Sequence, residues 1–537
     1  MGYDFLLKEL SRYTIGTFAD IIYRNALLNP DREAFVYGPR RITFSQYNDR
    51  VNRLINGLMA SGVKKGEVIG LLSWNCAEYM EVEGAAMKGG FIASLFNPRL
   101  HSIELESIIK YSEATTLFVG PELLETVRSL RSRLSKIKRY IFFGDSAPDM
   151  VSYNALLESH TSHEPDVQVR RDDPYLILYT SGTTGAPRGA LYTNRRKLEN
   201  VRMKALEMGV MAGDRHILAM PLFHIGADSH VWPFFIVGGC TIIMPQRSFD
   251  PDAVLRAIQD EKATDIQIVP TQLNAMLSRK NFTDYDLSSL KRFYYASSPM
   301  PVELLRHGIE TFGPIFTQGY GQTESGPQIT CLPRDAHEVL DLPSEEQKML
   351  ASCGQPSLGV HVRIVDINNK DVAVGTIGEI IARSDSIMEA YWRKPEETRE
   401  TVVNGWLHTG DLGYYDEKGF IYIVDRKKDM IVSGGENVYS REVEEVIYLH
   451  TAVSEVAVIG LPDPVWVERV HAVVVLKDGS ACNGEEIIEF CKEHLASYKA
   501  PKTVEFVKSL PKNPQGKILK KDLKDRYIGS YRVDRIR

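Results

Sequence analysis

Apolar and polar positions along this chain follow two periods in turn. Over residues 1 to about 170, TFSQYNDRVNRLINGLMASG spaces its apolar residues as a helix does, while EVIGLLSW, TTLFVG and RYIFFG are apolar runs of strand length. WNCAEYMEVEGAAMKGG predicts a helix ended by paired glycines, and SLFNPRL an extended segment broken at Asn97 and Pro98. From 171 to about 345 the alternation repeats, with strands in HILAM, TIIMP, DIQIVP and RFYYAS and helices in ADSHVWPFFIVGG and DPDAVLRAIQDEKA. Such alternation implies parallel α/β layers. From about 346 to 427, GVHVRIVDINNK, GTIGEIIAR and GFIYIVD read as short strands with turns. Beyond the charge cluster DRKKD, residues 428–537 have the size of a separate small domain. The expected class is α/β: a large N-terminal domain over 1–427, built of two layered α/β subdomains and a small β-rich subdomain, then a small α+β domain over 428–537.

Composition leaves that picture standing. A chain of 537 residues with 43% hydrophobic content can bury large cores. No run approaches eighteen uncharged apolar residues, and MGYDFLLKEL lacks the pattern of a secretory leader, so we expect a cytoplasmic protein with no integral membrane segment. The six cysteines are scattered with no CxxC pair, which favours reduced thiols in the core over a structural zinc site. A net charge of −6 gives no reason to expect a nucleic acid partner. Residues 508–537 are the exception, with ten Lys/Arg against three Asp/Glu. That run reads either as a solvated face or as a local field favouring anionic substrates.

Candidate chemistry sits where strands end. After the strand-like Leu176 to Tyr179, the hydroxyls of Thr180, Ser181, Thr183 and Thr184, the glycines Gly182 and Gly185 and the cation Arg188 compose a phosphate cradle. It is not a Walker sequence, because the GK[ST] ending is missing. In QGYGQTE, Gln318 and Gly319 lead into an aromatic Tyr320, a turn glycine Gly321, Gln322, a hydroxyl at Thr323 and a carboxylate at Glu324. A hard divalent cation such as Mg²⁺ prefers carboxylate oxygen and bridges phosphates. His224, and Ser297 and Ser298 before Pro299, also follow strands, where the switch-point rule places a ligand. The helix after His224 carries Asp228 and His230, of which at most one can face a pocket. Its apolar residues Val231, Trp232, Phe234, Phe235 and Ile236 would line an acyl tunnel or pack in the core. Asp411 follows a turn in GWLHTGDLG, and Lys517 in PKNPQGKI is a long cation on a polar turn, able to reach into a site.

With YTSGTTGAPRG, QGYGQTE, GWLHTGDLG, DRKKDMIVSGGEN and PKNPQGKI in order, the chain resembles the adenylate-forming superfamily over nearly its whole length. That group comprises acyl-CoA and aryl-CoA synthetases, stand-alone adenylation domains and beetle luciferases. The resemblance implies that Tyr320 stacks on adenine, Thr323 meets the α-phosphate, Glu324 holds Mg²⁺ and Asp411 grips the ribose hydroxyls. Arg426 would join the ribose or phosphates, and Lys428 would be the hinge of a mobile C-terminal domain. Ser433, Gly434, Gly435 and Glu436 would border the pantetheine path, and Lys517 would stabilise charge during adenylation. Ser297, Ser298 and Pro299 stand where relatives often have GGAP, as adenine contacts or a plain turn. Three departures are Arg188 for lysine, Asn194 for His and Asn513 for Thr. His224 stands where amino-acid-adenylating relatives carry Asp, which disfavours an amino-acid substrate and keeps His224 among the catalytic candidates. The implied activity is an AMP-forming acyl-CoA synthetase using ATP, coenzyme A and a small carboxylic acid, fatty or otherwise hydrophobic. An aryl-acid ligase, a carrier-loading enzyme, a luciferase-like oxidation and a silent nucleotide-binding regulator are the alternatives, and a homodimer is compatible with the reading.

Overall fold

The computed structural model describes residues 8–144, 147–181, 187–245, 247–433, 436–512 and 518–533. Helix starts follow local chemistry. Thr43 accepts from Gln46 N while Gln46 accepts from Thr43 N, a capping box opening the helix Phe44–Ala60. Phe44, Tyr47, Val51, Leu54, Ile55 and Leu58 of that helix are fully buried, as their spacing requires. The helix Ala77–Gly89 ends at Gly90 with φ +71, as its paired glycines predict.

Two large sheets carry the first part of the chain. One has eight strands, in the order Ala390–Tyr391, Pro187–Thr193, Pro174–Ser181, Ile92–Leu95, Val68–Leu72, Thr116–Val119, Arg139–Phe142 and Val151–Ser152. The other has nine, from Gln355–Pro356 through Thr330–Leu332, Phe316–Tyr320, Arg292–Tyr295, Asp265–Ile268, Arg215–Leu218 and Cys240–Ile243 to Glu33–Tyr37 and Arg40–Thr43. Both are parallel at their centres, as expected. Chain order does not divide them at residue 170, however. The hairpin at 33–43 joins the second sheet by pairing Phe35 with Thr241, and the phosphate-loop hairpin joins the first by pairing Leu176 with Ala93. Period along a strand reports which face is apolar and says nothing about which edge the strand joins.

The helix Ile225–Val237 lies in the core between elements of both sheets. Trp232 and Phe235 pack on Phe18, Phe35, Phe44 and Tyr47, so this apolar face is core rather than a tunnel wall. Asp228 and His230 leave opposite sides of the helix, both fully buried. Asp228 pairs with Lys197, and Trp232 Nε1 donates to it at 3.2 Å. His230 Nε2 lies 3.0 Å and His216 Nδ1 2.7 Å from Asp265 Oδ1. The last trio has the spacing of a metal site. Arg292 Nε at 3.3 Å from Asp265 already supplies positive charge, and Lys204 Nζ lies 3.2 Å from His230, making it a buried polar network.

A five-stranded sheet holds His361–Val365, Gly378–Arg383, Trp406–Tyr415, Val402–Val403 and Ile421–Arg426, the expected β-rich unit. A further sheet holds Glu436–Val438, Ile431–Ser433, Val467–Leu476, Val453–Asp463 and Thr503–Phe506, flanked by helices Ser440–Tyr448, Gly484–His494 and Lys520–Val533 around cores of their own. Where these two units meet, Asp425 accepts from Ser440 N at 2.5 Å and Ser440 Oγ at 2.7 Å. Lys520 binds Ser440 Oγ at 2.5 Å and Glu444 at 2.7 Å, and Lys512 binds Glu455 at 2.6 Å. Part of the basic tail is therefore spent on internal pairs. All six cysteines are free and five are buried. Among the described residues no helix is long and apolar enough to cross a membrane.

Candidate active site

The site is built where the nine-stranded sheet ends against the phosphate hairpin. A Cβ on Gly319 would strike the Tyr294 hydroxyl, and one on Gly321 the Pro327 carbonyl, so only glycine lets the chain fold back here. Gln322 N donates to Ser325 Oγ at 2.8 Å and starts the short turn Thr323–Ser325. That turn delivers Glu324 to the hairpin. Thr180 Oγ1 donates to Glu324 Oε1 at 3.4 Å, and the Tyr391 hydroxyl donates to the same oxygen at 2.7 Å. Tyr192 fixes the turn from below by donating to the Thr323 carbonyl. Burial, and then the Glu324 carboxylate, push the Tyr391 phenol pKa up, so it stays a donor.

A second carboxylate, Asp411, is held by Tyr320. Asp411 lies inside the strand Trp406–Tyr415 rather than after a turn, opposite Arg426 in register, and is 3% exposed. Its Oδ2 accepts from the Tyr320 hydroxyl and from Gln322 Nε2, both at 2.7 Å, and Arg426 Nε is 3.2 Å from Oδ1. Burial, then Asp411, raise the Tyr320 phenol far above its ordinary value, which keeps it protonated. A carboxylate offers about four lone-pair sites, so a diol arriving here would share Asp411 with Arg426 or displace it.

Other candidates stand further out. Arg188, on the strand Pro187–Thr193, has Nε 2.5 Å from Glu397 and its guanidinium 5.5 Å from the Tyr391 ring centre. That is an ion pair by distance only, since neither atom has an aligned hydrogen-bond partner. His224 precedes the helix Ile225–Val237 with its ring against Phe223 and its Nε2 buried without a partner. Burial, and then Arg99, push its pKa down to about 3, so the imidazole is neutral near pH 7. Ser297 adopts φ +72, and Ser298 and Pro299 continue that loop. Among the described residues no hydrogen bond ties His224, Ser297 or Ser298 to the Glu324–Asp411 group. Gln318 lies on the strand Phe316–Tyr320 with a buried, unpartnered Oε1. Lys428 is exposed on the turn after Arg426, where Asp429 N donates to the Arg426 carbonyl at 2.8 Å. Ser433 ends one strand with its hydroxyl buried and unpartnered, and Glu436 opens the next, exposed. The backbone of Ser181 ends the strand Pro174–Ser181. Gly182, Thr183, Thr184, Gly185, Gly434, Gly435 and Lys517 lie outside the described residues.

Tyr192, Tyr391 and Glu397 were not readable as site residues. Tyr391 reaches Glu324 because the two-residue strand Ala390–Tyr391 pairs with the phosphate hairpin, matching Tyr391 to Ala190. No local spacing encodes a pairing across two hundred residues.

Two parallel-centred sheets, a hydroxyl-bearing hairpin, Glu324 after a strand end and Asp411 bonded to the same Tyr320–Glu324 turn define a nucleotide-binding α/β enzyme of the adenylate-forming class. The chain belongs to the AMP-binding enzyme family: that family's description matches residues 22–392, and its C-terminal domain matches residues 442–517. It is 36% identical to a feruloyl-CoA synthase of an Amycolatopsis species over 94% of this chain and 98% of the relative. It is 35% identical to a medium/long-chain-fatty-acid–CoA ligase of Mycobacterium tuberculosis over 91% of this chain and 86% of the relative. The crystal structure of an anthranilate CoA ligase in complex with anthranoyl-AMP superposes with a TM-score of 0.87 at 29% identity, covering 95% of this chain and 97% of that one. The likeness drawn from five motifs therefore extends to the whole fold.

Proposed function

We propose that this chain is an AMP-forming ligase that joins a hydrophobic carboxylic acid to coenzyme A through an acyl-adenylate. The observation that carries the reading is Glu324 held at the phosphate hairpin together with a buried Asp411 bonded to Tyr320 and paired with Arg426. A nucleotide spanning these two groups would meet hydroxyls and a carboxylate at its phosphates and a buried acceptor at its ribose. A carboxylate oxygen of the acid attacks the α-phosphorus and pyrophosphate leaves. Thiol sulfur then attacks the acyl carbon and expels AMP, a far better leaving group than oxide.

Thr180 and Thr323 orient the phosphates, Asp411 and Arg426 hold the ribose, and Lys517 supplies a cation to charge developing on the α-phosphate. Glu324, half-buried beside the Thr180 hydroxyl, presents the oxygen-only donor set that a hard cation takes, so Glu324 would hold Mg²⁺. When bound, the ion neutralises phosphate charge and eases the departure of pyrophosphate. The neutral His224 is suited to contact the acid without drawing its carboxylate into an ion pair. Residues 1–427 would carry adenylation and 428–537 would turn about Lys428 between the half-reactions.

Exchange of labelled pyrophosphate into ATP, run with a panel of fatty and aryl acids, tests the reading. At least one acid should support exchange without coenzyme A, and adding coenzyme A should yield acyl-CoA and AMP. ATP cleavage to ADP, or exchange independent of any acid, would refute it.

A further inference from the structure

An acidic helix folds back onto the phosphate hairpin. Glu389 N donates to the Leu191 carbonyl at 2.8 Å and Trp392 N to the Gly189 carbonyl at 2.6 Å, which seats the strand Ala390–Tyr391 on the hairpin. The helix Pro395–Thr401 follows directly after Lys394, and Thr398 Oγ1 accepts from Tyr391 N at 2.9 Å, tying the helix to that strand. Of its acids, Glu396 and Glu400 are exposed and Glu397 is half-buried. Glu396 pairs with Arg399 of the same helix at 3.0 Å, whereas Glu397 turns toward the hairpin.

Two cations converge on Glu397. Arg188 Nε lies 2.5 Å from its Oε2 and Lys394 Nζ 2.7 Å from its Oε1. The bond from Lys394 outweighs burial and, with the Arg188 charge, holds the Glu397 carboxyl below its ordinary range, so it is ionised near pH 7. The cluster stands beside the groups that the proposed reaction gives to phosphate. Arg188 is directly opposite Thr180 in the hairpin register, so both side chains leave the same face. Thr180 and the Tyr391 hydroxyl bond to one Glu324 oxygen, and the Arg188 guanidinium lies over that Tyr391 ring. A carboxylate brings one negative charge to two cations, whereas the end of a triphosphate brings more charge and more oxygens to the same fork and ammonium.

We propose that Glu397 is a built-in competitor for the phosphates that leave as pyrophosphate, and that Lys394 is a second cation, beside Arg188, that receives them once they displace it. This rests on the adenylate-forming reading in placing phosphates beside Thr180. Displacing Glu397 lowers the apparent affinity by the fraction of molecules in which the two cations are released. Return of the carboxylate to the cations then favours departure of pyrophosphate once the acyl-adenylate has formed. Calorimetric titration of the whole chain with inorganic pyrophosphate and Mg²⁺ tests the assignment. Glu397→Gln keeps the shape and removes the charge, and should lower the Kd by up to about fivefold, the factor that one partly exposed ion pair supplies. Lys394→Met keeps the apolar stem and should raise the Kd by about the same factor, more strongly at low salt. Glu396→Gln removes the same charge from the same helix where it faces Arg399, and should leave the Kd unchanged. The KM for pyrophosphate in acid-dependent exchange should move in the same directions.

An unchanged or higher Kd in Glu397→Gln would overturn the inference, because the glutamate would then be a support for Arg188. Equal shifts in Glu396→Gln and Glu397→Gln would overturn it as a general effect of charge, and an unchanged Kd in Lys394→Met would remove the second cation. The titration needs no acid, so failure of every acid to support exchange would refute the ligase reading while the phosphate contacts are still measured on their own.

Discussion

At the residue scale, Lys517 and Arg188 are the cations whose removal is most informative. Lys517→Ala should lower acyl-AMP formation by roughly two to three orders of magnitude, the loss expected for one preorganised donor. Thioester formation from supplied acyl-AMP should survive, and stopped-flow traces of the two half-reactions would show it. Equal damage to both would make the lysine structural. Arg188 differs, because it already has a partner in Glu397. A guanidinium can hold two phosphate oxygens where an ammonium holds one. If the arginine leaves Glu397 for the nucleotide, Arg188→Lys raises the KM for ATP by about tenfold or less, roughly 1.4 kcal/mol, and Arg188→Ala raises it clearly further. Unchanged ATP kinetics in both variants would confine Arg188 to its pair with Glu397, a partly exposed contact that contributes about 1 kcal/mol or less.

At the element scale, the hinge carries the prediction. Between the strands Ile421–Arg426 and Ile431–Ser433 the chain is a tight turn, and Lys427 N donates to the Gly410 carbonyl at 2.9 Å. Lys428→Pro fixes a backbone angle that must change if the C-terminal unit rotates, and Gly435→Leu puts a side chain where pantetheine should pass. Both should spare pyrophosphate exchange and depress acyl-CoA formation. Loss of both half-reactions together with a lower melting temperature would leave rotation unsupported. Elements themselves were largely legible in the sequence: Thr43, Gly90 and the apolar spacing of Phe44 to Leu58 act within a few residues, where period and capping operate. Partners across the molecule were not. Tyr391 touches Glu324, and Asp411 sits in mid-strand facing Arg426, through registers that only the assembled sheets define.

At the scale of the whole molecule, buried histidines link stability to pH. His230 is fully buried between Lys204 and Asp265, and burial, then Lys204, lower its pKa to about 3. Above pH 6.5 both folded and unfolded chains hold it neutral. Below that, the unfolded chain takes up a proton that the folded chain refuses until about pH 3, so stability falls as pH falls. The slope from this one residue is about 1.4 kcal/mol per pH unit, or about 2 kcal/mol between pH 7 and 5. Urea unfolding at pH 7, 6 and 5 measures it, and His230→Asn should reduce the slope by about one proton. An unaltered slope would mean that His230 is already protonated in the folded state. Buried pairs also limit the reading of function from motifs: the sequence lets at most one of Asp228 and His230 face a pocket, yet Asp228 pairs with Lys197 and His230 is held between Lys204 and Asp265.

The central claim is that the acid is activated as an acyl-adenylate in the site formed by Glu324 and Asp411. Turnover of an acid labelled with ¹⁸O in both carboxylate oxygens tests it most directly, by mass spectrometry of the products. One ¹⁸O should appear in the phosphate of AMP and none in pyrophosphate, because the attacking oxygen becomes the bridge that thiolysis leaves on phosphorus. Label recovered in orthophosphate or pyrophosphate, or AMP free of label while acyl-CoA accumulates, would contradict the account.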